Sequence, residues 1–127
     1  MKILLDTQAL IWFQEDDSRL SEGARLALED ASNVLLVSIA SFWEMSIKIG
    51  VGKLKIDSSL EDFLTDTEEV GIFILTITTE HILENLRLPF HHRDPFDRII
   101  ASQCKSEQLS LVSADKSFDF YIKNRIW

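Results

Sequence analysis

Four acidic residues stand where a folded chain could gather them for chemistry: Asp6 in LLDTQALIWF, Glu44 in SFWEMSIKIG, Asp97 in HHRDPFDRII and Asp115 in LVSADKSF. Asp6 and Asp115 each close a short apolar run. Asp97 falls in the first turn of a helix opened by Asp94 and Pro95, and Glu44 lies within a helix. In a parallel sheet the carboxyl ends of the strands share one edge, and sites assemble there. Carboxylates brought together on such an edge repel: two like charges ~4 Å apart at an effective dielectric of ~20 cost about 4 kcal/mol. A fold keeps such a cluster only with protonation, basic neighbours or a bound cation. An all-oxygen set suits hard cations such as Mg2+ or Mn2+, which polarise a phosphoryl oxygen and acidify a bound water. No serine–histidine or cysteine–histidine nucleophile pattern competes in this chain.

Each acid also has a plain structural explanation. Asp6 and Asp115 sit where a strand passes into a helix, a common place for a cap. Asp94 before Pro95 is a strong cap signature, because proline suits the first helical position. Asp97 then takes the third helical position, where an acid faces the helix dipole or reaches back to the cap. Laid out at about 100° per residue, Ile39, Phe42, Trp43, Met45, Ile47 and Ile49 fill one arc, with Glu44 at its border and Lys48 one turn on. As a surface pair, Glu44 and Lys48 are worth a few tenths of a kcal/mol. Taken singly these explanations suffice; the case for a site is the joint one.

The elements that would position these residues alternate. KILL (2–5), VLLVS (34–38), IFILTI (72–77) and LSLVS (109–113) have the look of buried strands without clean period-two alternation. Amphipathic segments separate them: SEGARLALEDA with Ala24, Ala27, Leu28 and Ala31; SSLEDFLTDTEEV with Leu60, Phe63, Leu64 and Thr67; TTEHILENLRL with Ile82, Leu83 and Leu86. This order predicts an α/β fold with a parallel sheet covered on both faces, one domain over residues 1–127, and a short edge strand at NRIW. Gly50 and Gly52 read as a helix stop and a turn. Cys104 shares a face with Ile100 and is expected in the core, while His91 and His92 are expected in a loop.

With 127 residues, 46% hydrophobic residues and a formal charge of −8, the chain is globular and acidic. Its charge excludes a broad basic surface gripping nucleic acid, but not a cleft where a metal ion supplies the positive charge. A lone cysteine makes no internal disulfide. Only Ile3 to Leu5 precede Asp6 as an apolar run, too short for a signal-peptide core, and nothing approaches transmembrane length. A soluble, cytoplasmic protein is expected.

LLDTQALIWF, SFWEMSIKIGVGKLKI, HHRDPFDRIIASQ and LVSADKSF, in that order, resemble PIN-domain ribonucleases, above all the VapC-like toxins of bacterial toxin–antitoxin pairs. The resemblance runs over essentially the whole chain. It implies a compact three-layer α/β fold around a five-stranded parallel sheet and an acidic pocket that binds Mg2+ or Mn2+ and hydrolyses RNA. The family's four acids map onto Asp6, Glu44, Asp97 and Asp115; Thr7 and Ser113 match supporting hydroxyl positions, and Asp94 a recurrent acid. The resemblance further implies a small antitoxin covering the site and a homodimer. Trp12, Phe13 and Trp43 are candidates for that docking, with the core the simpler place for at least two of them. Lys48, Arg93, Arg98 and Lys116 are candidates for holding RNA phosphates, whereas Lys53 and Lys55 fit a solvated surface.

Two other readings keep part of this pattern. A phosphohydrolase could use Asp6 as covalent nucleophile, although haloacid-dehalogenase-type phosphatases carry a second acid two residues on, where this chain has Gln8. An inert, partner-binding domain would use its acids only as caps and would be indifferent to metal.

Overall fold

A computed structural model describes residues 1–127. Five strands, β1 (Lys2–Leu5), β2 (Val34–Ser38), β3 (Phe73–Leu75), β4 (Ser110–Val112) and β5 (Arg125–Ile126), form one sheet in the order β3-β2-β1-β4-β5. Every pairing is parallel, with Leu5 opposite Val37 on one side and Val112 on the other. The expected α/β fold, its strand count and the edge strand in NRIW are all present.

The strands lack period-two polarity because both faces are covered. Ile3, Leu5, Val37 and Val112 point into one apolar cluster, with Leu10, Leu28, Phe42, Met45 and Phe63. Leu4 and Leu111 point into the other, with Ile100, Ala101, Cys104 and Phe118. Each fully buried aliphatic side chain contributes ~1.5–3 kcal/mol of transfer free energy. Cys104 is buried and free, in the core position expected for it.

Six helices flank the sheet: α1 (Thr7–Gln14), α2 (Glu22–Glu29), α3 (Ile39–Gly50), α4 (Leu60–Glu69), α5 (Thr79–Arg87) and α6 (Pro95–Glu107), with a 3-10 turn over Lys116–Phe120. Asp94 caps α6 as expected, and Ser21 and Ser59 cap α2 and α4. Helix α3 ends at Gly50, and Gly52 takes a positive φ of 79° in the turn beyond. None of the helices is long and apolar enough to cross a membrane.

Two faces differ from expectation. In α3 the inward side is Ala40, Ser41, Phe42, Glu44 and Met45, whereas Ile39, Trp43 and Ile47 are exposed. Small residues at 40 and 41 let this helix pack closely between α1 and α6, which outweighs the larger apolar area on its other side. In α5 the predicted apolar face of Ile82, Leu83 and Leu86 lies in solvent. That helix docks on α6 through His81 instead. Its Nδ1 accepts the Thr78 backbone N–H (3.0 Å) in a capping box, and its Nε2 lies 2.6 Å from Glu107 Oε2 on α6. A polar clasp between fully buried His81 and the more exposed Glu107 goes with this helix rotation, which a count of apolar residues does not reveal.

Candidate active site

At the carboxyl edge of the sheet a cleft of about 360 Å³ opens, walled by Asp6, Thr7, Trp12, Glu44, Lys48, Asp94, Asp97 and Asp115 among others. All four candidate acids therefore meet. Strand geometry delivers the first and last: β1 and β4 are paired neighbours, so the residues that follow them emerge side by side. Helices α3 and α6, which pack together, bring Glu44 and Asp97.

Capping and site roles prove compatible, because a carboxylate has two oxygens. Asp6 Oδ1 accepts the Ala9 N–H at 2.8 Å and caps α1, while its Oδ2 accepts the Ser113 hydroxyl. Asp115 Oδ1 accepts the Ser117 N–H at 2.9 Å, leaving Oδ2 to face His92. Asp94 Oδ1 accepts from Phe96 N (2.8 Å) and Asp97 N (3.3 Å), which confirms its cap. Asp97 does not reach back to that cap; its Oδ2 lies 3.1 Å from His92 Nε2.

Glu44 is no surface residue. It is 6% exposed; its Oε1 accepts the Thr7 hydroxyl at 2.7 Å and its Oε2 pairs with Lys48 Nζ at 2.6 Å. Thr7 Oγ1 also lies 2.9 Å from Ser41 Oγ, so both predicted hydroxyls, Thr7 and Ser113, brace acids of the cleft.

The electrostatics bear the mark of crowding. Burial lifts the Asp6 carboxyl to about 6 against the pull of the Ser113 and Ala9 hydrogen bonds, with Glu44 and Asp115 adding repulsion. Burial likewise lifts Asp97 to about 7, helped by Asp94 and opposed by His92. At Asp115 burial is outweighed by the hydrogen bonds from Ser117 and His92, and its carboxyl lies below the usual value. Lysine is the only basic residue type in the lining, and it is present once, as Lys48.

Of the other candidates, Arg93 and Lys116 are exposed and can approach a phosphate, whereas Arg98 cannot. Arg98 is 6% exposed, and its guanidinium donates to the carbonyls of Pro89 (3.0 Å), Leu88 (3.2 Å), Asn85 (3.3 Å) and His92 (3.4 Å). It caps the carboxyl end of α5 and pins the loop before α6, under the Phe90 ring. Trp43 is exposed and Trp12 and Phe13 are half-buried against the core, close to the division expected.

His92 is the residue the sequence reading missed. It sits in the loop expected for it, but its Nε2 stands 3.1 Å from both Asp97 Oδ2 and Asp115 Oδ2, so it also belongs to the cluster. The signal available was its place two residues before a capping aspartate, where the chain must turn back over the helix mouth.

The structure thus sets a carboxylate-walled cleft at the carboxyl edge of a parallel α/β sheet. Residues 3–122 match the family model for the PIN domain, and the chain belongs to this family of nucleases. Its fold is similar to the VapBC2 complex of Rickettsia felis bound to a fragment of its promoter DNA (17% identity, TM-score 0.71, 100% of each chain covered). It is also similar to VapBC-1 of nontypeable Haemophilus influenzae (18%, 0.69, 98% of this chain and 96% of that one) and to DNA-bound VapBC of Salmonella typhimurium (19%, 0.67, 98% and 96%). No curated protein matches the chain in sequence.

Proposed function

We propose that the chain is a Mg2+- or Mn2+-dependent endoribonuclease, the toxin of a type II toxin–antitoxin pair, acting through Asp6, Glu44, Asp97 and Asp115. One observation carries the reading. Four acids from segments far apart in sequence line one cleft, and two of them are lifted to about 6 and about 7 by burial and mutual repulsion. Structural caps have no need of that strain, whereas a cation site does.

The donor set fits such an ion. Apart from His92 at the rim, the ligand atoms on offer are carboxylate and hydroxyl oxygens, the choice of hard divalent cations. Asp6, Asp97 and Asp115 would hold the ion, with Glu44 beside them. Bound there, it would polarise a phosphoryl oxygen and acidify a water. The chain's own residues supply the rest. Ser113 and Ala9 N–H fix the Asp6 carboxylate, Thr7 and Lys48 fix Glu44, and Asp94 sets the start of α6 so that Asp97 faces the cleft. Arg93, Lys116 and the free N–H bonds of Lys48 offer positive charge to RNA phosphates around an acidic centre.

Attack by Asp6 on a phosphoester fits less well, since Asp6 is only 8% exposed and the chain has Gln8 where haloacid-dehalogenase-type phosphatases carry a second acid. The toxin role is supported by the shared fold of solved VapBC complexes, and exposed Trp43, with Ile39 and Ile47 on the same helix, offers an apolar surface to a partner protein or a second copy. Incubation with a panel of cellular RNAs, with and without Mn2+, tests the reading. Metal-dependent cleavage by the parent and none by Asp6→Asn is expected; cleavage by that variant at the parental rate overturns the assignment.

A further inference from the structure

His92 reaches into the acid cluster, and its seat is built. The backbone N–H groups of His91 and His92 donate to the Tyr121 hydroxyl at 2.9 and 2.7 Å, and that hydroxyl donates to Pro89 O at 2.8 Å. Arg98 holds the carbonyls of the same loop from beneath. The ring itself packs near Phe118, and its side chain is 17% exposed. From this seat Nδ1 accepts the Asp94 N–H at 3.3 Å. A ring whose Nδ1 accepts carries its hydrogen on Nε2. In that tautomer Nε2 has no lone pair for a metal and acts as a donor, 3.1 Å from an oxygen of each of two carboxylates that come from different segments.

The ligand atoms of His92, Asp97 and Asp115 lie within 4.8 Å of one another. A cation taking both carboxylates needs the room that the Nε2–H now holds. We propose that His92 is a built-in stand-in for the divalent cation: it bridges Asp97 and Asp115 until metal arrives, then gives up that bridge, so that this side chain sets how tightly the cleft takes metal. The inference rests on the metal-dependent reading above and adds a competitor to it. One consequence is that the two carboxylates are held at working separation before the ion enters. Another is that the ion must displace a hydrogen-bonded group as well as shed water.

The test uses the metal alone, without RNA, at one fixed pH. Mn2+ is titrated into the parent, His92→Ala, His92→Gln and Asp6→Asn, with free Mn2+ read by electron paramagnetic resonance; melting is followed in chelator and in saturating Mn2+. Losing the competitor should tighten Mn2+ binding by His92→Ala about tenfold, or about 1.4 kcal/mol, the order of one hydrogen bond to a charged group. His92→Gln, which keeps an N–H donor at similar reach, should stay near the parent. His92→Ala should melt below the parent in chelator and recover most of the gap in Mn2+. Weaker binding with a widening gap would make His92 a ligand and overturn the inference, as would unchanged affinity. If His92→Ala does not fold, the parent decides: added Mg2+ must move the His92 imidazole resonances, and unmoved resonances overturn the proposal. Failure of the parent to bind Mn2+, or full binding by Asp6→Asn, overturns the metal reading itself. Binding that depends on Asp6 but ignores His92 overturns the stand-in alone.

Discussion

Replacing Asp97 by Asn should stabilise the metal-free protein while ending its activity. Burial and the neighbouring Asp94 lift this carboxyl from 3.8 to about 7, and its side chain is 23% exposed. A shift of about three units is worth at most about 4 kcal/mol of destabilisation when the group is ionised in the folded state. The penalty is absent below the unfolded value of 3.8, grows as pH rises toward the folded value, and is fully present above about 7. Solvent screening and the loss of a favourable acid at the start of α6, itself ~0.3–1 kcal/mol, reduce the gain to about 2 kcal/mol at pH 8. For a chain of this length that is a rise in Tm of roughly 6–10 °C. Thermal and urea unfolding in chelator at pH 8, 5 and 4 measure it. The gain should shrink by about half or more at pH 5 and vanish near pH 4. RNA cleavage should fall by roughly a hundredfold or more, the scale set by losing a principal charge-stabilising group. A variant less stable than the parent at pH 8, or a difference that ignores pH, refutes the claim that Asp97 is held against repulsion.

Protons and metal should compete in the cleft. Asp97 and Asp6 take up protons as pH falls through about 7 and about 6, so Mn2+ affinity should fall about a hundredfold from pH 8 to pH 5.5, measured by titration. Arg98→Ala should cost about 3 kcal/mol in urea unfolding, because three carbonyls between α5 and α6 and one in the last turn of α5 each lose a charged donor; Arg98→Lys, with a single point of donation, should recover only part of it. The Cys104 thiol, pushed up to about 12 by burial, should ignore a thiol reagent at pH 8 until the protein is unfolded, and prompt labelling of the native state would contradict its packing.

Much of this was legible in the sequence because the decisive signals were local. Apolar runs such as KILL and VLLVS have no polar face, and only a sheet covered on both sides accommodates that. The Asp94-Pro95 pair announced α6, and the acids at the ends of β1 and β4 were placed by strand pairing alone. What was hidden depends on contacts between distant segments. Nothing near His81 in sequence reveals that Glu107 awaits it, so the rotation of α5 was misjudged. Nor does the chain near Glu44 reveal Thr7, whose hydroxyl meets this carboxylate from another helix. Arg98 was misassigned because nothing near it in sequence reveals that its guanidinium is taken up by backbone carbonyls and the Tyr121 hydroxyl.

The central position of β1 has a consequence for the order of synthesis. Its partner β4 begins at Ser110, so segments more than a hundred residues apart must meet before Asp6 and Asp115 can face each other. A ribosome releasing this chain therefore holds a polypeptide without its acid cluster until β4 and Asp115 have emerged. Under the nuclease reading proposed above, that delay leaves time for a guardian protein to be at hand before the cleft is assembled.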